Sequence, residues 1–126
     1  MSSGPPPIQL FGRRDSRDTQ RALRFFKERR IEASLVDVTR KPPAPAELRR
    51  FAQRLGAAAL LDTAGKRYRE AGLAWMRLGE EETLERVLAD PALLRLPLAR
   101  FGNAVTAGVD EPTWRGWANE LRERGQ

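Results

Sequence analysis

The pattern of apolar and polar positions at the start of the chain predicts a strand, a helix and a second strand. Ile8 to Phe11 is a short apolar run typical of a buried strand. From about Arg17 to Arg30 the spacing is helical, and one face carries Thr19, Ala22, Leu23 and Phe26. Asp15 or Ser16 is the expected N-cap, because either side chain accepts hydrogen bonds from the free N–H groups of a first turn. The run from Glu32 to Val38 alternates and predicts a second strand, parallel to the first across a right-handed crossover.

The middle of the chain predicts helices only. A proline-rich break at residues 41–45 precedes a helix that Gly56 ends and whose inner face carries Leu48, Phe51, Ala52 and Leu55. Further helical segments or turns are expected at residues 57–61, 66–70 and 80–89, and after the Asp90-Pro91 pair. Within them, Leu84, Val87 and Leu88 are expected to face inward, and Trp75 and Met76 to lie in the core or at the edge of an interface.

The last third of the chain predicts a β-hairpin and a closing helix. The runs 96–101 and 104–107 read as strands joined by a Gly102-Asn103 turn. A capped helix then continues to about Arg124 and buries Trp114, Trp117 and Leu121. The order is therefore βαβ, a helical insert at about residues 45–95, and ββα. This order predicts a thioredoxin-like α/β fold, in which helices cover a small mixed sheet.

The length and the composition bound the organisation of the chain. A chain of 126 residues suits one domain, here residues 8–126, after a disordered lead-in rich in proline and glycine at residues 1–7. No apolar segment approaches the roughly 20 residues that span a bilayer, and the start lacks the apolar core of a secretory signal. We therefore expect a cytoplasmic protein that does not enter a membrane.

The chain contains no cysteine and no histidine. This excludes thiolate and imidazole metal sites, Ser-His and Cys-His dyads, and dithiol exchange. The acidic run Glu80–Glu82 reads as the first turn of a helix, where negative charge suits the helix dipole. No metal site is therefore predicted.

The net charge of +6 and the pI of about 10.9 raise the question of nucleic-acid binding. Arginine far outnumbers lysine, and alanine and leucine are abundant, a composition that a GC-rich genome imposes on any protein. Direct nucleic-acid binding is therefore not expected.

Several short motifs keep a fixed order and spacing, and together they resemble a known family. Gly12 is followed four positions later by Ser16 and ten positions later by Ala22. The later motifs are Leu60-Leu61 before a turn at Gly65, Asp90-Pro91-Ala92-Leu93-Leu94 before a strand, Pro97, Gly108-Val109, and Trp114. Over residues 8 to about 121 this pattern resembles the arsenate reductase (ArsC), Spx and YffB-like proteins. The resemblance implies a thioredoxin fold with a helical insert, and a cis peptide bond at Pro97.

The departures from the family pattern fall on its chemistry. Ser16 stands at the position of the nucleophilic cysteine, the family's catalytic residue. A helix N-terminus lowers the pKa of a thiol from about 8.5, but it does not make a hydroxyl a comparable nucleophile. Thr19 occupies the position of the second cysteine of dithiol members, and Leu96 replaces an arginine that helps to hold an oxyanion. Arg95 is not expected to replace that arginine, because neighbouring residues of a strand point to opposite faces.

With these losses, the resemblance implies a non-catalytic binding or regulatory module. Its site is expected at the N-terminus of the first helix and to hold a small anion or glutathione, without a resident cofactor. The residues of this site are Arg13, Arg14, Ser16, Arg17, Thr19, Leu96 and Pro97. The alternative for the arginines is a solvated rim.

Three other functions stay open at this point. A glutathione-dependent, arsenate-reductase-like oxidoreductase follows if Ser16 is an engineered replacement of a natural cysteine. A regulator that contacts an RNA polymerase subunit, as Spx-like members do, would use the basic stripe Arg17, Arg21 and Arg24; the alternative is a solvated helix face. A hydrolase that uses Ser16 would need a base, and Asp15 and Asp18 fit helix capping better.

Overall fold

The computed structural model describes residues 6–125, so residues 1–5 of the predicted lead-in lie outside the described residues. The described chain forms four strands and five α-helices. In order they are β1 (Ile8–Gly12), α1 (Arg17–Glu28), β2 (Ala33–Asp37), α2 (Pro45–Leu55), α3 (Lys66–Glu70), α4 (Glu80–Ala89), β3 (Leu98–Phe101), β4 (Ala104–Ala107) and α5 (Glu111–Gly125). Short 3₁₀ turns lie at Ala57–Leu60, Leu73–Trp75 and Pro91–Leu93.

The four strands form one mixed sheet in the order β2-β1-β3-β4. β1 pairs with β2 in parallel, as predicted, and with β3 antiparallel. The register sets Phe11 of β1 beside Leu98 of β3. The turn after β1 and the loop before β3 therefore meet at the same edge of the sheet, which is where the predicted site lies.

Two apolar clusters cover the two faces of the sheet. Phe11, Leu98 and Val105 pack with α2, α4 and the 3₁₀ turns of the helical insert. Ile8, Leu10, Ala99 and Phe101 pack with α1 and α5. Because successive strand residues point to opposite faces, β1 and β3 contribute to both clusters. The result is a thioredoxin-like α/β fold with helices on both sides of the sheet.

Two sequence expectations are wrong in detail, and a third is narrowed. α1 ends at Glu28, because Arg30 adopts a left-handed φ of 58° and the Ile31 N–H returns to the Phe26 carbonyl. The third strand begins at Leu98, after a cis Leu96-Pro97 bond of the kind that the resemblance implies. Of the two alternatives expected for Trp75, the core and the edge of an interface, the core is excluded, because the Trp75 side chain is 92% exposed and Leu73 is the buried residue of that turn.

No helix among the described residues is both long enough and apolar enough to cross a bilayer.

Candidate functional site

Of the two predicted N-caps of α1, Asp15 and Ser16, the structure shows Ser16 in this role. Its backbone is extended, with φ −84° and ψ 124°, and its Oγ accepts a hydrogen bond from the Thr19 N–H at 3.1 Å. The Ser16 N–H donates to the Arg13 carbonyl at 3.1 Å and closes the turn that joins β1 to α1. The hydroxyl at the family's nucleophile position is thus engaged in holding the helix end.

Thr19 lies beneath this turn and is fully buried. Its Oγ1 accepts a hydrogen bond from the Arg13 N–H at 3.3 Å. Gly12 makes room for it, since a Cβ at Gly12 would lie 2.5 Å from Thr19 Oγ1. The predicted ligand residue Thr19 therefore supports the turn from inside and does not reach solvent.

The arginines around the helix end are interleaved with acids. Arg13 Nε lies 3.2 Å from Asp15 Oδ1, while the side chains of Arg14 and Arg17 are exposed. Only the backbone of Arg14 has a described contact here, because its carbonyl accepts a hydrogen bond from Gln20 Nε2 at 2.7 Å. Arg13 therefore lies beside an acid, and Arg14 and Arg17 are exposed to solvent.

The basic stripe on α1 is also partly neutralised. Arg21 Nε donates to Glu111 Oε2 of α5 at 2.8 Å. This hydrogen bond raises the pKa of Arg21 and lowers that of Glu111 relative to their ordinary values. Arg17, Arg21 and Arg24 share one surface depression of about 420 Å³, and the other residues that line it are Asp15, Asp18 and Gln20.

A separate cleft of about 290 Å³ lies beside the cis-proline loop. It is lined by Asp18 of α1, by the 62–64 loop of the insert, and by Arg95 and Leu96. Arg95 and Leu96 both precede β3 and lie in a loop, so the strand alternation on which the expectation about Arg95 rests does not apply to them. Arg95 and Leu96 line the same cleft.

The position of Arg95 is set by two contacts. Its N–H donates to the Leu60 carbonyl at 2.8 Å. Its side chain lies over Gly108, where φ is 75° and an added Cβ would be 2.5 Å from Arg95 Nε. Arg95, Asp18 and Asp62 therefore line one cleft. The Asp62 carboxylate lies beside Gly65, where an added Cβ would be 2.6 Å from Asp62 Oδ2.

Sequence reasoning missed Arg95, Asp18 and the 62–64 loop as neighbours. The only available signal was the Leu60-Leu61 motif, since Asp62 follows it directly. Two contacts bring this loop to the cleft. Leu61 forms a β-bridge with Leu94, and the Asp62 N–H donates to the Leu93 carbonyl at 2.9 Å. Both contacts join residues that are far apart in the chain.

A mixed sheet in the order β2-β1-β3-β4, with the N-terminus of α1 facing a cis-proline loop, defines a thioredoxin-like protein. Within this class the chain belongs to the ArsC family, whose sequence model matches residues 14–117.

Individual relatives agree with this assignment. YusI, an uncharacterized protein of Bacillus subtilis, is 28% identical over 104 residues, which cover 79% of this chain and 88% of YusI. A solved protein named YFFB matches with a TM-score of 0.78 at 22% identity, over 86% of this chain and 96% of its own. An arsenate reductase from Vibrio cholerae matches with a TM-score of 0.71 at 16% identity, over 82% and 91%. The two structural matches establish the fold.

Proposed function

We propose that this ArsC-family protein is a non-catalytic binding module whose cleft holds a small peptide-like ligand of mixed charge, such as glutathione. The proposal combines two observations. The position of the family's nucleophile carries a hydroxyl that caps α1, in a chain without cysteine. A cleft near the N-terminus of α1 is lined by one basic and two acidic residues, Arg95, Asp18 and Asp62.

The observation that most directly supports the proposal is the placement of Arg95. A guanidinium binds a carboxylate through paired, charge-assisted hydrogen bonds. Asp18 and Asp62, which line the same cleft, suit an ammonium group. A small peptide carries both a carboxylate and an ammonium, whereas a simple inorganic anion would meet the two aspartates. The volume of about 290 Å³ is near the lower end of the usual range of roughly 300–1,000 Å³ for small-molecule sites.

A titration followed by NMR tests the binding. With glutathione at millimolar concentration, we expect amide shifts at residues 12–19, 95 and 96, and much smaller shifts with sulfate or phosphate. Arg95→Ala should abolish the glutathione shifts. Arg50→Ala is the matched control, because Arg50 is an exposed arginine of α2 outside the cleft lining. Binding that survives Arg95→Ala, or shifts that are equal with phosphate, would contradict the proposal.

A reductase assay tests the absence of catalysis. The wild-type chain should show no glutathione-dependent reduction of arsenate or of a disulfide, because a hydroxyl cannot form the covalent sulfur intermediate. Ser16→Cys should be assayed beside it. Turnover by the cysteine variant alone would mean that the cleft is still competent for redox chemistry and lacks only the thiol, which is the result expected if serine replaces a natural cysteine. Turnover by the wild-type chain would overturn the proposal.

The alternative of a regulator that contacts RNA polymerase stays a prediction. The net positive charge of its basic stripe is lower than the sequence suggests. Arg21 is paired with Glu111, and the acids Asp15 and Asp18 line the same depression as the arginines. Co-purification with polymerase that is lost in Arg17→Glu/Arg24→Glu would support this alternative.

A further inference from the structure

Trp75 is the most exposed large hydrophobic residue among the described residues. Its side chain is 92% exposed, and that of its neighbour Met76 is 43% exposed. Tryptophan and methionine together are typical of protein–protein interfaces, where the buried area of an indole contributes strongly to binding. These two residues lie on the helical insert and are not part of the cleft lining.

The turn that carries Trp75 is anchored to the protein on both sides. Leu73, two residues before it, is buried in the core. The Trp75 N–H donates to the Gly72 carbonyl at 3.2 Å, and the Met76 N–H donates to the Leu73 carbonyl at 3.1 Å. Gly72 adopts a left-handed φ of 70°, which glycine does without strain. The indole is therefore displayed from a formed turn, which lowers the entropy cost of binding a partner.

A groove between α3 and α4 is linked to the Trp75 turn through Met76. Arg86 Nη2 lies 3.9 Å from Met76 Sδ, and Arg86 also lines the groove. The groove has a volume of about 440 Å³, and Ala71, Ala89 and the buried Leu93 give it an apolar floor. The tryptophan, the methionine and the groove thus form one surface, which we call the insert surface.

The insert surface carries uncompensated positive charge. Arg67 on the rim of the groove is paired with Asp90. Arg77 and Arg86 have no carboxylate partner among the described residues. The three acids at the start of α4 already have partners: Glu80 accepts from the Ala57 N–H, Glu81 is paired with Arg49, and Glu82 accepts from the Gly79 N–H. A ligand of this surface therefore needs apolar side chains together with carboxylates.

We propose that the insert surface is a docking site for an acidic peptide segment of a partner protein. One apolar side chain of the segment lies in the groove against Leu93, a second packs on the Trp75 indole, and its carboxylates pair with Arg77 and Arg86. A second copy of this chain fits poorly, because two such surfaces would bring like-charged arginines together in a chain of net charge +6. A nucleic acid fits poorly too, because the floor is alanine and leucine and only two arginines are uncompensated. The proposal is independent of the ligand of the cleft.

The test uses a displayed library of short random peptides, selected on the full chain and counter-selected on Trp75→Ala. We expect the enriched peptides to combine aspartate or glutamate with aromatic or aliphatic residues. Binding is then measured by tryptophan fluorescence. Trp114 and Trp117 are buried, so a blue shift that is lost in Trp75→Phe reports on Trp75 alone. Trp75→Ala should weaken binding about tenfold or more, as is usual for a tryptophan hot spot.

Two double charge variants, one on the insert surface and one outside it, test the role of the arginines. Arg77→Glu/Arg86→Glu should weaken peptide binding by about tenfold or more. Arg50→Glu/Arg115→Glu changes the net charge equally at two exposed positions outside the insert surface and should leave binding unchanged. Trp75→Ala should keep the wild-type unfolding midpoint, because the side chain is 92% exposed.

Four results would overturn the proposal. The first is that no peptides are enriched on the wild-type chain over Trp75→Ala. The second is that the enriched peptides contain no acidic residues. A blue shift that appears on concentrating the protein alone would show a second copy at this surface. A single-stranded oligonucleotide that competes with the peptides and gives the same Trp75 shift would show a nucleic-acid site instead.

Discussion

At the residue scale, Ser16 is a helix N-cap at the position where the family pattern has its nucleophile. The strand, the glycine turn and the helix that present this position are all formed. The Ser16 Oγ accepts the Thr19 N–H, which would otherwise be one of the unpaired donors of the first turn. Ser16 therefore stabilises the start of α1, and this role does not require a reactive side chain.

Replacing Ser16 with alanine is expected to lower the free energy of unfolding by about 1 kcal/mol, because the cap hydrogen bond is lost. Urea denaturation followed by circular dichroism measures the change. Ser16→Asp is the matched control and should retain most of the stability, since aspartate is an equally good cap and its charge suits the helix N-terminus. Equal stabilities of wild type and Ser16→Ala would contradict the assigned role.

Local sequence was sufficient for some residues of the site and insufficient for others. Ser16 was foreseen as a cap because capping depends on neighbours within one turn. The surroundings of Arg95 depend on where β3 begins and on Gly108, which comes later in the chain, so local sequence does not determine them. For Trp75 local sequence leaves the core and the edge of an interface open, because an aromatic residue in an apolar stretch has no local mark that distinguishes a core position from an exposed one.

At the scale of elements, a buried hydrogen bond joins β4 to α5. The Nε1–H group of Trp114 donates to Thr106 Oγ1 at 3.0 Å, and both residues are buried. Trp114 also packs against Phe25 and Phe26 of α1, with ring centroids 5.6 and 5.7 Å away. The indole thus connects the last strand with both helices of its layer.

Thr106→Val is expected to destabilise the protein by about 1–3 kcal/mol, because it keeps the shape of threonine but leaves the buried indole N–H of Trp114 without its partner. Chemical denaturation measures the loss. Thr106→Ser keeps the hydroxyl and isolates the contribution of the hydrogen bond from that of the methyl group. A valine variant as stable as wild type would mean that the indole finds another acceptor.

The Arg21–Glu111 pair joins α1 to α5 and predicts a dependence of stability on pH. The hydrogen bond from Arg21 lowers the pKa of Glu111 below its ordinary value of 4.5. A carboxylate whose pKa is lower in the folded state stabilises the protein above the unfolded pKa, and this contribution is lost as the pH falls through the folded pKa. The contribution is therefore complete at neutral pH and decreases in acid.

Glu111→Gln should consequently lower the thermal unfolding midpoint at neutral pH, and the difference from wild type should shrink once the pH falls below 4.5. Glu123→Gln, on the same helix but without an ion pair among the described residues, is the control and should show a smaller change with pH. A difference between Glu111→Gln and wild type that stays constant in acid would exclude the ion pair as its cause.

Most elements were predictable because their periodicity is local. The type and order of the strands and of the main helices followed from spacing alone, including the parallel pairing of β1 and β2. The errors lie at ends that tertiary contacts decide, such as the left-handed Arg30 after α1. The cis bond at Pro97 came from the family resemblance, since no periodicity distinguishes it from an ordinary proline before a strand.

At the scale of the whole molecule, the sheet couples two helical layers. β1 and β3 supply side chains to both apolar clusters, so neither layer keeps its core if the sheet separates. Arg100 of β3 adds a polar connection, because its guanidinium donates to Glu47 of α2 at 3.1 Å and to Gln9 of β1 at 3.0 Å. The helical insert is thus bound to the strands that also carry α1 and α5.

Unfolding is therefore expected to be a single cooperative transition. Fluorescence of Trp114 and Trp117 reports on the layer of α1 and α5, whereas far-ultraviolet circular dichroism reports on all helices. In a Trp75→Phe background, the two signals should give coincident urea curves. A circular-dichroism transition at lower urea than the fluorescence transition would instead indicate that the helical insert unfolds first.

The outer strands of the sheet determine how the protein behaves when crowded. β2 has five residues and is followed by Val38 and then by Thr39, Arg40, Lys41 and Pro42. β4 has four residues and lies between Gly102 and Gly108, which both have positive φ. Short edges bounded by charge, proline and turns offer an approaching chain few peptide groups in register. The protein should therefore resist edge-to-edge aggregation and fibril growth even though two strands of its sheet have an open side.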